Sequence, residues 1–141
     1  MAITSSRKDG TICTILIKLK QAKYAIDEDK VSEYLEINNV LKGIFYVANK
    51  LYGLTFRECT DKFPVYEKTA QSWEVIDKDG KVLALFYSDY YPRDGKGAGA
   101  WCTGFRDQSY NGNERVLPVV VNVCNMTTAS GDKPALQSID M

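Results

Sequence analysis

Histidine is absent from the 141 residues of this chain, and its absence limits the chemistry that the chain can perform. Ser–His–Asp triads and Cys–His pairs use an imidazole as the general base, so both are excluded. Zinc sites with histidine ligands are excluded for the same reason. Asp, Glu and Cys side chains could still bind a metal ion, but their spacing indicates no such site.

Three carboxylates, Asp77, Asp79 and Asp89, flank a predicted hairpin. Paired carboxylates can act as general acid and general base when their surroundings separate their pKa values. Charged residues at turns and strand ends are, however, usually solvated. We therefore expect these side chains to be exposed turn and strand-end residues rather than catalytic groups.

The run Gly95-Lys96-Gly97-Ala98-Gly99-Ala100 invites comparison with phosphate-binding loops. Those loops need a helix directly after the glycines, because the helix N-terminus binds the phosphate. The residues that follow, Trp101 to Phe105, are not typical of a helix start, so we expect no nucleotide site. A glycine-rich backbone can instead approach a ligand closely. The alternative is a plain, long hairpin connection.

Seven aromatic residues crowd the same region. Pockets for small ligands are rich in aromatic side chains, so this group could form a binding wall. It could equally be core together with cross-strand pairs, and we favour the core, because only alternate residues of a strand share a face. The residues are Phe86, Tyr87, Tyr90, Tyr91, Trp101, Phe105 and Tyr110.

Charge, cysteine spacing and hydropathy argue against several other classes. Eighteen basic residues balance eighteen acidic ones, whereas non-specific nucleic-acid binding usually needs a basic surface. Cys13, Cys59, Cys102 and Cys124 form no close pair of the zinc-finger type, so we expect reduced thiols. We recognise neither a signal peptide nor an apolar run long enough to span a bilayer. A soluble, cytoplasmic protein without nucleic-acid or membrane partners is expected.

The N-terminal part of the sequence predicts helices. Apolar residues at helical spacing indicate a helix over residues 12–24, although β-branched residues at its start are unfavourable. Asp27 is a suitable N-cap for a second segment, which continues to Tyr52 as an amphipathic stripe. Asn38-Asn39 is expected to divide this segment, with one asparagine capping its second part. Gly53 is expected to end it in the left-handed conformation.

Strand patterns follow the helices. A turn with Gly80 at a positive-φ position is expected to join two of the strands into a hairpin. Residues 116–124 are apolar on nearly every position, which is typical of a central strand. The other predicted strands cover 54–60, 72–77 and 82–87.

The sequence therefore predicts one α+β unit, with N-terminal helices followed by a small antiparallel or mixed β-sheet with a long glycine-rich loop. A connection as long as this loop is usually functional or mobile. Within 1–141, the predicted parts are a distinct start (1–17), helices (18–53), a sheet (54–126) containing the loop (92–115), and a polar tail (127–141).

Seven stretches of the sequence carry a likeness to one known family. They are Lys18–Leu35, Asn38–Phe56, Phe63–Tyr66, Leu85–Asp89, Gly99–Trp101, Asn122–Asn125 and Lys133–Leu136. Together they resemble the thimet oligopeptidase family of zinc peptidases, and within it the bacterial dipeptidyl carboxypeptidase branch. The resemblance runs in one register from about Lys18 to Met141. Residues 1–17 do not share it, and Glu67 stands where that branch often has a histidine.

The resemblance implies a place within a longer zinc peptidase, just before the helix that carries His-Glu-x-x-His. In that family two histidines one helical turn apart bind zinc and the glutamate activates water. This chain is expected to lack that helix, so no catalytic or metal-binding residue carries over and no cofactor is expected here. What carries over is a glycine-rich cleft loop implied to contact the substrate backbone, at Gly97, Gly99, Ala100 and Trp101.

We accordingly expect part of an oligopeptidase or peptidyl-dipeptidase that supplies the sheet and loop of the substrate cleft and is inactive alone. The alternative is a free-standing module that binds short peptides without catalysis, by strand addition at a sheet edge. Short peptides are the expected partners in both cases. Apolar faces that the rest of such an enzyme would cover are also expected to drive self-association into homo-oligomers.

Overall fold

The computed structural model describes residues 5–25, 27–131 and 134–137. Within them, three helices precede a five-stranded mixed sheet and a two-stranded hairpin, so the predicted α+β class is confirmed. The helices are α1 (Ser5–Tyr24), α2 (Glu28–Ser32) and α3 (Ile37–Tyr52). The strands are β1 (Thr55–Glu58), β2 (Gln71–Ile76), β3 (Val82–Asp89), β4 (Trp101–Arg106), β5 (Ser109–Asn111), β6 (Glu114–Val116) and β7 (Val119–Val123).

Local sequence signals fix two of the helix ends, as predicted. α2 begins after Asp27, whose carboxylate accepts hydrogen bonds from the backbone N–H groups of Asp29 and Lys30. α3 ends at Gly53, which has a φ of 71°. Glycine adopts this left-handed conformation without the steric cost that a Cβ atom imposes.

Two helix starts differ from the prediction. The N-cap of α3 is Glu36 rather than Asn38 or Asn39, because its carboxylate reaches over the first turn. It accepts hydrogen bonds from the Asn39 N–H at 3.1 Å and from Asn38 Nδ2 at 2.8 Å, so both asparagines lie inside the helix. α1 begins at Ser5, upstream of the predicted start at residue 12, and helical structure therefore precedes the predicted range 18–53.

The five-stranded sheet has the order β1-β2-β3-β7-β4. β1, β2 and β3 are successively antiparallel, β7 pairs parallel with β3, and β4 returns antiparallel to β7. β7 is thus an interior strand, as its apolar pattern predicted, and Val121 at its middle is 0% exposed. β4 is an edge strand, and all six of its residues are exposed.

The long glycine-rich loop predicted over residues 92–115 is wrong in extent. This range contains β4 and both strands of the β5–β6 hairpin, so irregular backbone is confined to residues 92–100, here named the glycine segment. β4 escaped prediction because Gly104 lies within it and a bulge between Gly104 and Arg106 interrupts its alternation.

The core lies between α3 and one face of the sheet. Ile37 and Leu41 on α3 pack with Tyr90, which is 6% exposed. The Phe45 ring stacks on Phe56 with ring centroids 4.1 Å apart. Burying an apolar side chain of this size contributes about 1.5–3 kcal/mol, so these contacts fix α3 against the sheet.

The end of the described chain packs back onto the helices rather than forming an open tail. The Gln137 N–H donates to the Leu35 carbonyl, and Leu136 forms a β-bridge with Glu36. The Gln137 side chain is buried and hydrogen-bonds both the N–H and the carbonyl of Thr127. The polar composition of this region gave no sign of these contacts, in which Gln137 takes part through both its backbone and its side chain.

A second face of α3 is apolar but exposed. Ile44, Val47 and Leu51 are 48%, 52% and 67% exposed. Self-association through such faces stays a prediction. Among the described helices, none is long and apolar enough to cross a membrane.

Alanine substitutions at two glycines, one at the end of α3 and one inside it, test backbone strain and helix propensity separately. Gly53→Ala is expected to destabilise the chain by about 1 kcal/mol, because an L-residue in the left-handed region is strained. Gly43 lies inside α3, and an added Cβ there would meet nothing within 4 Å. Gly43→Ala is therefore expected to stabilise the chain by about 0.5–1 kcal/mol. Urea unfolding of both variants measures the difference, and equal midpoints would contradict the cap assigned to Gly53.

Candidate functional site

A cleft of about 530 Å³ opens where β3, β7 and β4 meet the glycine segment. β3 and β7 are parallel, so their carboxyl ends lie side by side, with Asp89 opposite Val123. β4 starts beside the same point, because Trp101 pairs with Val123. The cleft is lined by Tyr66, Asp89, Arg93, Gly95, Lys96, Gly97, Trp101, Phe105 and Val123.

Asp89 is 1% exposed, so the expectation of a solvated strand-end residue is wrong for it. The parallel pairing with β7 covers this end of β3, and local sequence gives no sign of that pairing. Asp77 is a turn residue, as predicted, although it is half-buried: its carboxylate accepts the N–H groups of Asp79 and Lys81 in the hairpin turn. The two carboxylates, at opposite ends of the β2–β3 hairpin, thus have unrelated roles.

The Asp89 carboxylate accepts hydrogen bonds from three side chains. Its Oδ2 accepts the Tyr66 hydroxyl at 2.9 Å, and Arg93 Nη1 donates to Oδ1 and Oδ2 at 2.8 and 3.0 Å. Lys96 Nζ donates to Oδ1 at 3.0 Å. Arg93 also lies 3.6 Å from Glu67 through its Nε. Asp89 and the three side chains that donate to it, from Tyr66, Arg93 and Lys96, are named the Asp89 network. The two cations neutralise a carboxylate that has no access to bulk water.

The Asp89 network shifts two pKa values in opposite directions. Burial would raise the pKa of the Asp89 carboxyl, but the hydrogen bonds from Arg93, Lys96 and Tyr66 outweigh it and lower that pKa below its usual value. Burial and the hydrogen bond to Asp89 raise the pKa of Tyr66 to about 12. At neutral pH the carboxylate is therefore charged and the Tyr66 hydroxyl is a donor.

Lys96 ties the glycine segment to the ends of β3 and β7. Beyond the Asp89 carboxylate, its Nζ donates to the backbone carbonyls of Asp89 at 3.0 Å, Tyr91 at 2.7 Å and Cys124 at 2.6 Å. Its side chain is 5% exposed. Because an ammonium carries three protons, these four acceptors use its full capacity. The lysine acts as an internal brace rather than as a free cation in the cleft.

Asn125 holds the next part of the glycine segment. Its Nδ2 donates to the carbonyls of Gly97 and Gly99, each at 3.0 Å. Gly99 has a φ of 101°, a conformation that side-chain-bearing residues rarely adopt. An added Cβ at Gly97 would meet nothing within 4 Å, so open space lies over that residue. The segment thus presents bare backbone to the cleft.

The four residues that the sequence predicted as a substrate contact lie together, but not all of them line the cleft. Gly97 and Trp101 line it. Gly99 and Ala100 are exposed between them and lie outside its lining. Their contact with a substrate stays a prediction.

Sequence reasoning missed most of the polar groups of the site. A recognisable signal was present, because opposite charges at Asp89, Arg93 and Lys96 follow a strongly apolar strand at short spacing. Tyr66 and Asn125 gave no comparable signal, since they come from distant parts of the chain, one between β1 and β2 and the other after β7.

Members of the aromatic group lie in the core and at the cleft, whereas Tyr110 is 66% exposed on β5 and belongs to neither. Tyr90 belongs to the core, which is the placement that the sequence favoured. Trp101 and Phe105 are 49% and 59% exposed, so the core assignment is wrong for them. Phe105 meets the Tyr66 ring edge-to-face at a centroid distance of 6.4 Å, and the Arg93 guanidinium lies 5.8 Å from that ring. Aromatic surface and one cation therefore form a wall of the cleft.

The outer edge of β4 borders this cleft. β4 pairs with β7 on one side, and no described strand pairs with its other side. Alternate backbone N–H and carbonyl groups on that side are thus open to another extended chain. Such an edge, a bare glycine backbone and an aromatic wall together can hold an extended polypeptide.

A zinc ion finds no ligand set among the described residues. No group of three or more Cys, Asp or Glu side chains there is placed to share a metal ion, and the sequence has no histidine. Cys59, Cys102 and Cys124 are free thiols, whereas the Cys13 side chain lies outside the described set. Burial raises the pKa of the Cys124 thiol, which keeps it protonated and unreactive.

Comparison with known proteins gives the family. A family model described as peptidase family M3 matches residues 17–141. A dipeptidyl carboxypeptidase of Salmonella typhimurium is 42% identical over 84% of this chain, and that of Escherichia coli is 40% identical over 84%. Oligopeptidase A of Salmonella typhimurium is 31% identical over 87%.

The match covers a small part of each relative. The chain spans 17% of the length of the two dipeptidyl carboxypeptidases and 18% of that oligopeptidase A. The resemblance to the thimet oligopeptidase family is nevertheless confirmed, because the family model covers nearly the whole chain. By this match and these identities, the chain belongs to peptidase family M3.

Proposed function

We propose that the chain forms one wall of the substrate cleft of a zinc-dependent peptidase, with the catalytic and zinc-binding residues outside these 141 residues. The free edge of β4 carries the proposal. All six residues of β4 are exposed, and Trp101 and Phe105 face the cleft. An extended peptide can add to such an edge as a further strand, and its backbone hydrogen bonds give affinity for many sequences.

Short peptides are the proposed substrates of the whole protein. The relatives are named dipeptidyl carboxypeptidases and oligopeptidases, which indicates hydrolysis of peptides and, in the first group, removal of dipeptides from the carboxyl end. The cleft supports this class in two ways. It offers backbone groups that do not discriminate between sequences, and its aromatic wall provides apolar contact for side chains.

The glycine segment is proposed to contact the peptide backbone. Gly97 lines the cleft and has open space where a side chain would be. A peptide strand added to β4 would run beside Gly97, Gly99 and Ala100 before it reaches Trp101. Without side chains at the glycines, the two backbones can approach within hydrogen-bond distance.

Catalysis is proposed to need more than this chain. The described residues provide no zinc ligand set, and zinc-dependent hydrolysis of the family's type needs histidines. The 141-residue chain with added zinc is therefore expected to leave a blocked tetrapeptide intact. Hydrolysis that a chelator abolishes would contradict this. The second candidate, a binding module that works without catalysis, shares the peptide contact and differs only in needing no catalytic residues elsewhere.

The cytoplasm is the proposed location. Cys59, Cys102 and Cys124 are free thiols, which suits a reducing compartment. A relative in Arabidopsis thaliana, 32% identical over 86% of the chain, is named a probable cytosolic oligopeptidase A.

Gly97→Ala tests the proposed peptide contact without disturbing the fold. The added methyl group meets nothing in the chain but occupies the space through which a peptide backbone would approach. The Kd for a labelled, N-acetylated tetra-alanine peptide is expected to rise about tenfold, which corresponds to about 1.4 kcal/mol. Fluorescence anisotropy measures it, with Gly43→Ala as the control outside the cleft. Equal Kd values for the two variants would remove the glycine segment from the proposed contact.

Asp89→Asn tests whether the Asp89 network holds the cleft together. The variant leaves Lys96 buried without its counter-charge, so a loss of about 3 kcal/mol in unfolding free energy is expected near neutral pH. The control Asp79→Asn, in the exposed hairpin turn, is expected to change stability by less than about 0.5 kcal/mol. Urea unfolding measures both, and two variants of equal stability would contradict a structural role for the network.

The pH dependence of that difference follows from the direction of the pKa shift. The pKa of Asp89 in the folded chain lies below its unfolded value of about 3.9. Its stabilisation is therefore complete above the unfolded value and is lost as the pH falls through the folded value. The gap in unfolding free energy between wild type and Asp89→Asn is expected to shrink over that acidic range. A gap that stays constant there would show that the Asp89 charge does not stabilise the fold.

A further inference from the structure

We infer that Asn125 is the residue that positions the glycine segment for peptide binding, a role that rests on the proposed function. Its Nδ2 donates to the carbonyls of Gly97 and Gly99. A side-chain amide carries two protons on its nitrogen, so one group satisfies both carbonyls. The two accepting residues flank Ala98, and the contact therefore fixes the bend of the backbone at the cleft.

The glycine segment needs such a contact because its own backbone is loosely held. Lys96 anchors the start of this stretch through the Asp89 network, and Trp101 anchors its end in β4. Between those anchors, residues 97–100 have no described hydrogen bonds other than those from Asn125. Glycine loses more conformational freedom on ordering than other residues. A peptide that had to order this stretch itself would bind more weakly.

Asn125 is itself held in place from both sides. The N–H of Cys124 donates to the Asp89 carbonyl at 2.9 Å, and the N–H of Met126 donates to the Tyr90 carbonyl at 2.7 Å. Cys124 also accepts a bond from Lys96. The backbone around Asn125 is therefore part of the same frame as the Asp89 network. A fixed backbone presents the Nδ2 group in one orientation, which is the condition for a positioning residue.

The chain offers matched variants for a test. Asn125→Ala removes the side-chain amide, and Asn125→Asp keeps its size but replaces the donor with an acceptor that faces two carbonyls. Asn111→Ala is the control, since Asn111 is exposed on β5 and outside the cleft lining. Urea unfolding confirms that each variant remains folded, and Asn125→Asp serves where Asn125→Ala fails to fold.

Two measurements separate a positioning role from a structural one. ¹⁵N relaxation gives the order parameters of the Gly97 and Gly99 amides, which are expected to fall from about 0.85 to below about 0.6 in both Asn125 variants and to stay constant in Asn111→Ala. The Kd for the tetra-alanine peptide is expected to rise about tenfold in both Asn125 variants, at an unchanged urea midpoint.

The outcomes distinguish this inference from the proposed function. Order parameters that do not change would overturn the role of Asn125, whatever the peptide does. Lower order parameters with an unchanged Kd would also overturn it, because order in the segment would then not matter for binding. A wild-type chain that binds no peptide would instead refute the proposed function, and the positioning role with it.

Discussion

The Asp89 carboxylate is the charge on which the cleft depends. It is buried at the junction of two parallel strands, where an uncompensated charge would cost several kcal/mol (about 3–5 when one partner of a buried pair is removed). Arg93 and Lys96 of the glycine segment compensate it together with Tyr66, which lies between β1 and β2. Compensation of this one charge therefore fixes the position of the first part of the glycine segment and the orientation of the Tyr66 ring.

The parallel pairing of β3 and β7 explains why these groups meet. Their carboxyl ends lie side by side at the same end of the sheet. Residues that follow each strand therefore come together although they are far apart in sequence. Lys96 joins the two strand ends by donating to carbonyls of Asp89 and Cys124. Asn125 then extends the same frame into the glycines. Each contact presupposes the one before it, which makes the cleft a continuation of the sheet rather than a separate loop.

Sequence reasoning succeeded where the cause is local. The cap at Asp27 and the left-handed Gly53 depend on neighbouring residues, and the interior position of β7 follows from its own apolar pattern. It failed where the cause is distant, because the burial of Asp89 depends on which strand pairs with β3. β4 was missed for a related reason. Its six residues are exposed, so no burial pattern marks them, and only pairing with β7 makes them a strand.

The free edge of β4 differs between its two ends, and the difference favours strand addition at the cleft. Exposed edges are commonly protected by charges, prolines or bulges. In β4 the bulge and the single charge, Arg106, lie at the far end. The four residues from Trp101 to Gly104 are uncharged, and they begin where the glycine segment ends. The unprotected part of the edge is thus the part beside the aromatic wall, so an added strand would be directed towards Gly97 and away from the β5–β6 hairpin.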